Sequence, residues 1–224
     1  MKDKLTVKDI CKKYKTRDGY IDVLENLNFT LSKGESLSIV GESGAGKSTL
    51  LNILALLLKP DSGEIIFEGI NILQLRDKSK FRLENIGYIS QELLLIDEKT
   101  VYDNLKLPLI YKKNRPSKKE MDMLIEKSLD FIGMSGFKNK ICENLSGGEK
   151  QRIILCRSLI NNPKIVLADE PTGALDFLNK EMIMDFLLDY TKDDKYLIVT
   201  THDDYLKERC IRNLNILIDR KSVV

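Results

Sequence analysis

GESGAGKS, residues 41–48, spaces three glycines, a lysine and a serine in the manner of a loop that wraps phosphate. Gly41, Gly44 and Gly46 let the backbone curl, so that consecutive N–H groups through Glu42, Ser43 and Ala45 face phosphate oxygens. Lys47 is placed to bridge the β- and γ-phosphates, and the Ser48 hydroxyl, followed by Thr49, to ligate Mg²⁺. A glycine-rich turn capped by serine is the plainer reading. The apolar strand before the loop and the apolar helix after it argue for the phosphate site and a nucleoside triphosphate. Downstream, KIVLADEP (164–171) delivers Asp169 and Glu170 at the end of a buried run, the edge where open α/β sheets bind ligands. Asp169 is expected in the magnesium shell and Glu170 as the group that polarises an attacking water. The single histidine, His202, closes YLIVTT (196–201), and Gln91 closes IGYIS (86–90). A structural histidine and a polar strand terminus are the plain alternatives. Their placement on the same edge as Asp169 lets His202 reach a γ-phosphate and Gln91 sense magnesium or the attacking water.

LSGGEKQR (145–152) poses a different question. Ser146 with Glu149 three residues later is a capping box that opens a helix. The box does not explain Gly147 and Gly148, since each glycine in a helix costs about 1 kcal/mol relative to alanine. A helix N-terminus with bare amides is an anion site. The chain's own triphosphate already has a cradle, so this second surface is expected to act on a nucleotide held by another copy.

The elements that must position these residues follow from patterning. LTVKDICKKY (5–14) and ESLSIVG (35–41) read as strands, and GEIIFEGINI (63–72) as a hairpin. A helix is expected from the end of the phosphate loop through LLNILALLL, stopping at Lys59-Pro60. From about 92 to 157 the β signal fades, and KKEMDMLIEKSLDFIG (118–133) has helical spacing. Short buried strands then alternate with helices: FLNKEMIMDFLLDY (177–190) lies between the runs that end at Asp169 and at Thr201. The pattern is that of a parallel sheet covered on both faces. The fold class is therefore α/β.

Composition narrows the function classes. With Lys+Arg 36 against Asp+Glu 34 the net charge is +2, which gives no general nucleic-acid surface. YKKNRPSKKE (111–120) reads as a solvated loop entering a helix. Four scattered cysteines suggest neither a zinc site nor a disulfide framework, but free, mostly buried thiols. The longest apolar run is too short to span a bilayer, and no signal core opens the chain.

Taken in order (an N-terminal aromatic, GESGAGKS, Gln91, LSGGEKQR, IVLADEPTGALD, His202), the motifs resemble those of the ATP-binding-cassette ATPases over nearly the whole chain. The resemblance implies a single nucleotide-binding domain, 1–224, with a P-loop NTPase core (1–91 and 158–224). An N-terminal antiparallel β subdomain and an inserted α-helical subdomain (92–157) complete it. ATP and Mg²⁺ are the implied cofactors, and two copies bury ATP head to tail. Tyr14 would stack on adenine, with Tyr20 as an alternative. Ser48, Gln91 and Asp169 would hold the metal. Ser146, Gly147, Gly148 and Glu149 would face the partner's γ-phosphate, and Ala174-Leu175-Asp176 would link the two sites. SGAGKSTLLNILALLLKPDSGEI, RLENIGYISQ and YDNLKLPL resemble the lipoprotein-release, macrolide-efflux and antimicrobial-peptide branch, whose cassette pairs with a separate permease through the helical subdomain. An ATPase peripheral to the cytoplasmic face of the membrane is implied. A cassette that transmits force to a cell-division or signalling partner is the alternative. Glu149 stands where that family most often has Gln, and the C-terminal NILIDRKSVV lacks the family's usual Asp-Gly turn.

Overall fold

A computed structural model describes residues 4–17, 19–90, 94–172, 177–192 and 194–216, with 177–179 described in backbone alone. Two sheets share the work. The first is antiparallel: β1 (Lys4–Thr16) pairs with β2 (Gly19–Ser32) on one side and β4 (Ser62–Phe67) on the other, and β4 turns back into the short β5 (Ile70–Asn71). β2 has no clean alternation to betray it. Its outer half, from Gly19, is mostly exposed even at Tyr20 and Ile21, and Asn26 sits at a left-handed φ of 43° where the ladder with β1 slips register. A bulge of this kind breaks the period-two signal.

The second sheet is parallel, in the order β6-β7-β8-β3-β9, built from β3 (Ser36–Val40), β6 (Ile86–Ile89), β7 (Ile165–Asp169), β8 (Tyr196–Thr200) and β9 (Arg212–Asn215). β7 and β8 are buried along their whole length, which is why they read as unbroken apolar runs. β9, at the sheet edge, is largely exposed and polar, and patterning gives no sign of it.

The helix α1 (Lys47–Leu54) stops four residues short of the expected end. Leu56 adopts a left-handed φ of 57°, and the Leu57 and Leu58 N–H groups both turn back to the Asn52 carbonyl. The apolar run continues because the exit turn is also buried: Ala55 and Leu56 belong to the core under the phosphate loop. Apolar character reports burial, and here burial outlasts the helix. α2 (Lys78–Asn85), capped by Asp77, has no buried residue and so no periodic stripe.

Helices α3 (Val101–Ile110), α4 (Lys118–Phe131) and α5 (Gly147–Leu159) enclose a separate apolar cluster that includes Val101, Leu105, Ile125, Leu129 and Ile153. Ser117 and Glu120 form a reciprocal capping box at the start of α4, at the end of the basic loop. α5 leaves this cluster through Ile154, Leu155 and Leu159, which pack against β6 and β7 instead. α6 (Phe177–Thr191) and α7 (Asp204–Arg209) complete the fold. The four cysteines are free, and three are buried.

Candidate nucleotide site

Because β3, β7 and β8 run in the same direction, their C-terminal ends gather Gly41, Asp169-Glu170 and Thr200–His202 on one edge of the sheet. A groove of about 940 Å³ opens there, and Gly44, Lys47, Ser48, Asp169, Glu170 and His202 all line it. Ser43, Gly46 and Thr49 extend the same wall. Glu42 and Ala45 shape the loop from within, through an Ala45 N–H bond to the Glu42 carbonyl. The phosphate loop tolerates side chains poorly. At Gly41 a Cβ would stand 2.6 Å from the Ile216 carbonyl oxygen; at Gly46, where φ is 93°, it would stand 2.7 Å from Val23 Cγ1. Neither approach is possible for a real Cβ, so the loop packs as closely as glycine permits.

Lys47 is buried, and its ammonium donates to the Gly41 and Glu42 carbonyls at 2.8 and 2.9 Å. His202 Nε2 lies 3.1 Å from it. Burial pushes the lysine below its usual range, with Glu170 and Asp169 pulling the other way. A cation partly stripped of water and held by neutral carbonyls favours the arrival of phosphate oxygens.

Glu170 leaves β7 in a left-handed conformation, φ 46°, which costs ~1–3 kcal/mol for a residue of this kind. The Thr200 carbonyl and hydroxyl hold its N–H, each at 3.2 Å. Its Oε1 is buried and accepts no hydrogen bond among the described residues, with His202 Nε2 3.4 Å away. Burial pushes this carboxyl above the ordinary glutamate range, while His202 opposes the shift. An under-solvated carboxylate aimed into a groove is suited to accepting a proton. The imidazole Nε2 stands between Lys47 and Glu170, and its single ring position can serve one of them at a time. A bond to the lysine ammonium would need Nε2 bare, and one to the carboxylate would need it to carry a proton.

Asp169 is buried, and one carboxylate oxygen accepts from the Thr200 hydroxyl. With Ser48 it places hard oxygen donors on the groove. Mg²⁺ asks for one or two such protein ligands, completing its octahedron with phosphate oxygens and water. The residues present therefore fit that ion.

Gly147 lines the same groove, whereas Ser146, Gly148 and Glu149 stand outside its lining. Ser146 caps α5 as expected: its Oγ accepts from the Glu149 N–H at 3.3 Å. Glu149 in return accepts from the Ser146 N–H at 2.7 Å and from its hydroxyl at 2.8 Å. These bonds hold the Glu149 carboxyl below its usual range. Tyr14 also lies outside the groove lining. It pairs with Ile21 toward the hairpin end, 41% exposed, with the Lys12 ammonium 5.7 Å from its ring centre. Gln91 and Ala174-Leu175-Asp176 lie outside the described residues.

Several groove residues carry little signal in the sequence. Val23 falls at a register shift of the β1–β2 ladder. Thr200, the last residue of β8, stands behind the lining and supports it through its bonds to Asp169 and Glu170. Gln151, inside LSGGEKQR, donates to the Pro171 carbonyl at 2.7 Å and ties α5 to the exit of β7. Lys180 and Asp203 line the groove as an ion pair.

Residues 24–173 match the ABC transporter family. The chain belongs to that family. It is 37% identical over 212 residues to YvrO of Bacillus subtilis (strain 168), an uncharacterized ABC transporter ATP-binding protein, across 94% of this chain and 92% of YvrO. It is also similar to the ATP-binding cassette MJ0796, solved as a dimer in a post-hydrolysis state with ADP and Pi: TM-score 0.87, 36% identity, 96% of this chain and 97% of that one. A second dimeric structure of MJ0796, described as a bacterial ABC transporter cassette, gives a TM-score of 0.86 at 35% identity, with the same coverage. This cassette is thus an ATP-binding ATPase with the P-loop α/β fold expected of it. No helix among the described residues is long and apolar enough to cross a membrane.

Proposed function

We propose that two copies of this cassette clasp two ATP molecules, each held by one copy's phosphate loop and covered by the other copy's α5 N-terminus. The observation that carries this reading is Gly147. A Cβ built there meets nothing within 4 Å among the described residues, and its backbone is not in the left-handed region. Nothing described in the single chain asks for a glycine. A ligand approaching from outside the chain does, because bare amides at a helix N-terminus bind an anion that a side chain would hold off. MJ0796, which this chain resembles, is dimeric in both solved forms.

In this reading Lys47 and the loop amides hold the phosphates, and Tyr14 stacks on adenine. Ser48 and Asp169, with Gln91, hold Mg²⁺, which supplies charge neutralisation at the phosphates. Glu170 takes the proton of the attacking water, and its missing hydrogen bond leaves Oε1 available for that role. His202 meets the γ-phosphate once Lys47 has turned to the nucleotide. Ser146, Gly147 and Gly148 face the partner's γ-phosphate, with Glu149 beside them, and Asp176 lies on the link between the sites. Residues 92–157 form a helical subdomain set into the core of 1–91 and 158–224, and it receives a separate transmembrane permease. The cassette then sits at the cytoplasmic face of the membrane and drives export of a peptide, lipoprotein or drug, as motifs shared with that branch suggest.

The test uses Glu170→Gln to block turnover. With ATP this variant should form a dimer on a sizing column. Adding Gly147→Ala should abolish the dimer while each monomer still binds ATP. ATP binding lost from the monomer would place Gly147 against its own nucleotide and overturn the shared site.

A further inference from the structure

The groove holds a cation that the phosphate loop does not supply. Lys180, in the first turn of α6, lines it and pairs with Asp203 Oδ2 at 2.8 Å. Asp203 directly follows His202, in the three-residue segment between β8 and α7. Packing does little to fix that histidine, since its side chain is 53% exposed. Its place is set by its backbone, and the segment's backbone bonds are few. Thr201 N–H reaches the Ile39 carbonyl at 3.2 Å, Asp203 N–H reaches Thr201 Oγ1 at 2.9 Å, His202 N–H reaches Glu170 Oε2 at 3.4 Å, and the Asp203 carbonyl accepts from the Lys207 N–H at 3.1 Å. Asp203 spends its other oxygen capping α7, accepting from the Tyr205 N–H at 3.0 Å. The lysine bond is the largest influence holding the Asp203 carboxyl below its usual range.

This pair is the innermost rung of a polar seam. Tyr205 donates its hydroxyl to Glu181 at 2.9 Å, and Arg209 pairs with Asp185 while donating to the Tyr205 hydroxyl at 2.9 Å. The seam laces α6 to the His202 segment and α7, and its outer rungs lie progressively farther along both helices from His202.

We propose that Lys180 is a positioning residue for ATP hydrolysis: through Asp203 it fixes the His202 backbone, and so the imidazole, against Lys47 and Glu170. The inference rests on the reading that His202 acts at the γ-phosphate. The charge pair sets the rate of turnover, and the outer rungs only stabilise the fold.

The experiment measures kcat and KM for ATP, at one fixed protein concentration, for Lys180→Met, Lys180→Arg, Asp185→Asn, His202→Ala and Lys180→Met/His202→Ala, each with its unfolding midpoint. Lys180→Met should cut kcat about tenfold, less than the ~10²-fold that a full 1 Å misplacement can cost, with KM changed by less than about twofold. Lys180→Arg should restore most of the rate. Asp185→Asn should lower the unfolding midpoint and leave kcat intact. The double variant should be no slower than His202→Ala alone, because the lysine works through the histidine. Unchanged kcat in Lys180→Met, a loss appearing in KM instead, or an equal kcat loss in Asp185→Asn would each overturn the proposal. Full activity in His202→Ala would overturn the reading of the histidine itself, a result distinguishable from Lys180→Met alone being active.

Discussion

Glu170 concentrates the conflicts of this site in one residue. Its backbone is left-handed, its Oε1 accepts nothing, and burial raises its carboxyl above the usual range. A carboxyl whose folded-state pKa is raised binds its proton more readily when folded than when unfolded. Its ionisation therefore subtracts stability as pH rises from the ordinary glutamate range through the raised one. Glu170→Gln should accordingly raise the nucleotide-free unfolding midpoint at neutral pH, and the gain should shrink as the pH is lowered toward the ordinary glutamate range. The same variant should lose roughly 10²–10⁴-fold in ATPase rate, the usual contribution of a positioned base. In the wild type the acid limb of kcat/KM, which reports the nucleotide-free enzyme, should lie above that of an ordinary carboxylate, since the base must be ionised to act. A steady-state pH profile reads that limb directly. Lys47→Ala should weaken ATP binding by about 1.5–3 kcal/mol, the worth of a charge-assisted bond, as an equilibrium titration would report.

At the scale of elements, two helix starts look alike and serve different ends. Ser117 with Glu120 opens α4, and Ser146 with Glu149 opens α5, both as full capping boxes. Ser117→Ala should cost about 1 kcal/mol of stability, as lost caps do, and leave the ATPase rate unchanged. Gly147→Ala should go the other way. The new methyl meets open space, and alanine is the better helix former by about 1 kcal/mol in a helix interior, less in a first turn. Its unfolding midpoint should hold or rise while ATPase activity is lost. A substitution that stabilises the fold and stops the reaction marks a position kept for binding. The phosphate loop behaves differently again. Gly46→Ala drives a methyl to 2.7 Å from Val23 from a left-handed backbone, so it should lower both stability and activity.

For the whole molecule, the parallel order of β3, β7 and β8 matters more than any single residue. It brings together groups more than 150 positions apart in sequence, so that Lys47 meets His202 at 3.1 Å. Among the described residues three apolar clusters hold the arrangement, and α5 takes part in two of them through Ile153 and Ile154. With Gln151 bonded to the Pro171 carbonyl, the helix that opens at Ser146 is braced against the strand that carries Glu170. If two copies share each nucleotide, specific ATPase activity should rise with protein concentration until dimerisation saturates. Activity strictly proportional to protein at every dilution would oppose the shared site.

The sequence by itself determined the ATPase family and most of the scaffold. The phosphate loop, Asp169, Glu170 and His202 were legible because each ends an apolar run. Buried strands leave such runs whatever surrounds them. α4 was legible by its period and its cap. β2, β9 and α2 were not, because a bulged hairpin, an edge strand and an exposed helix carry little apolar signal. The true end of α1 was also hidden, since burial continued past its last turn. Only the tertiary structure decided which residues meet at the groove: Val23 from a distant hairpin and Lys180 on Asp203, with Thr200 behind them on Asp169. Such contacts join residues far apart along the chain. They are set by how strands and helices pack, which no local pattern of residue types encodes.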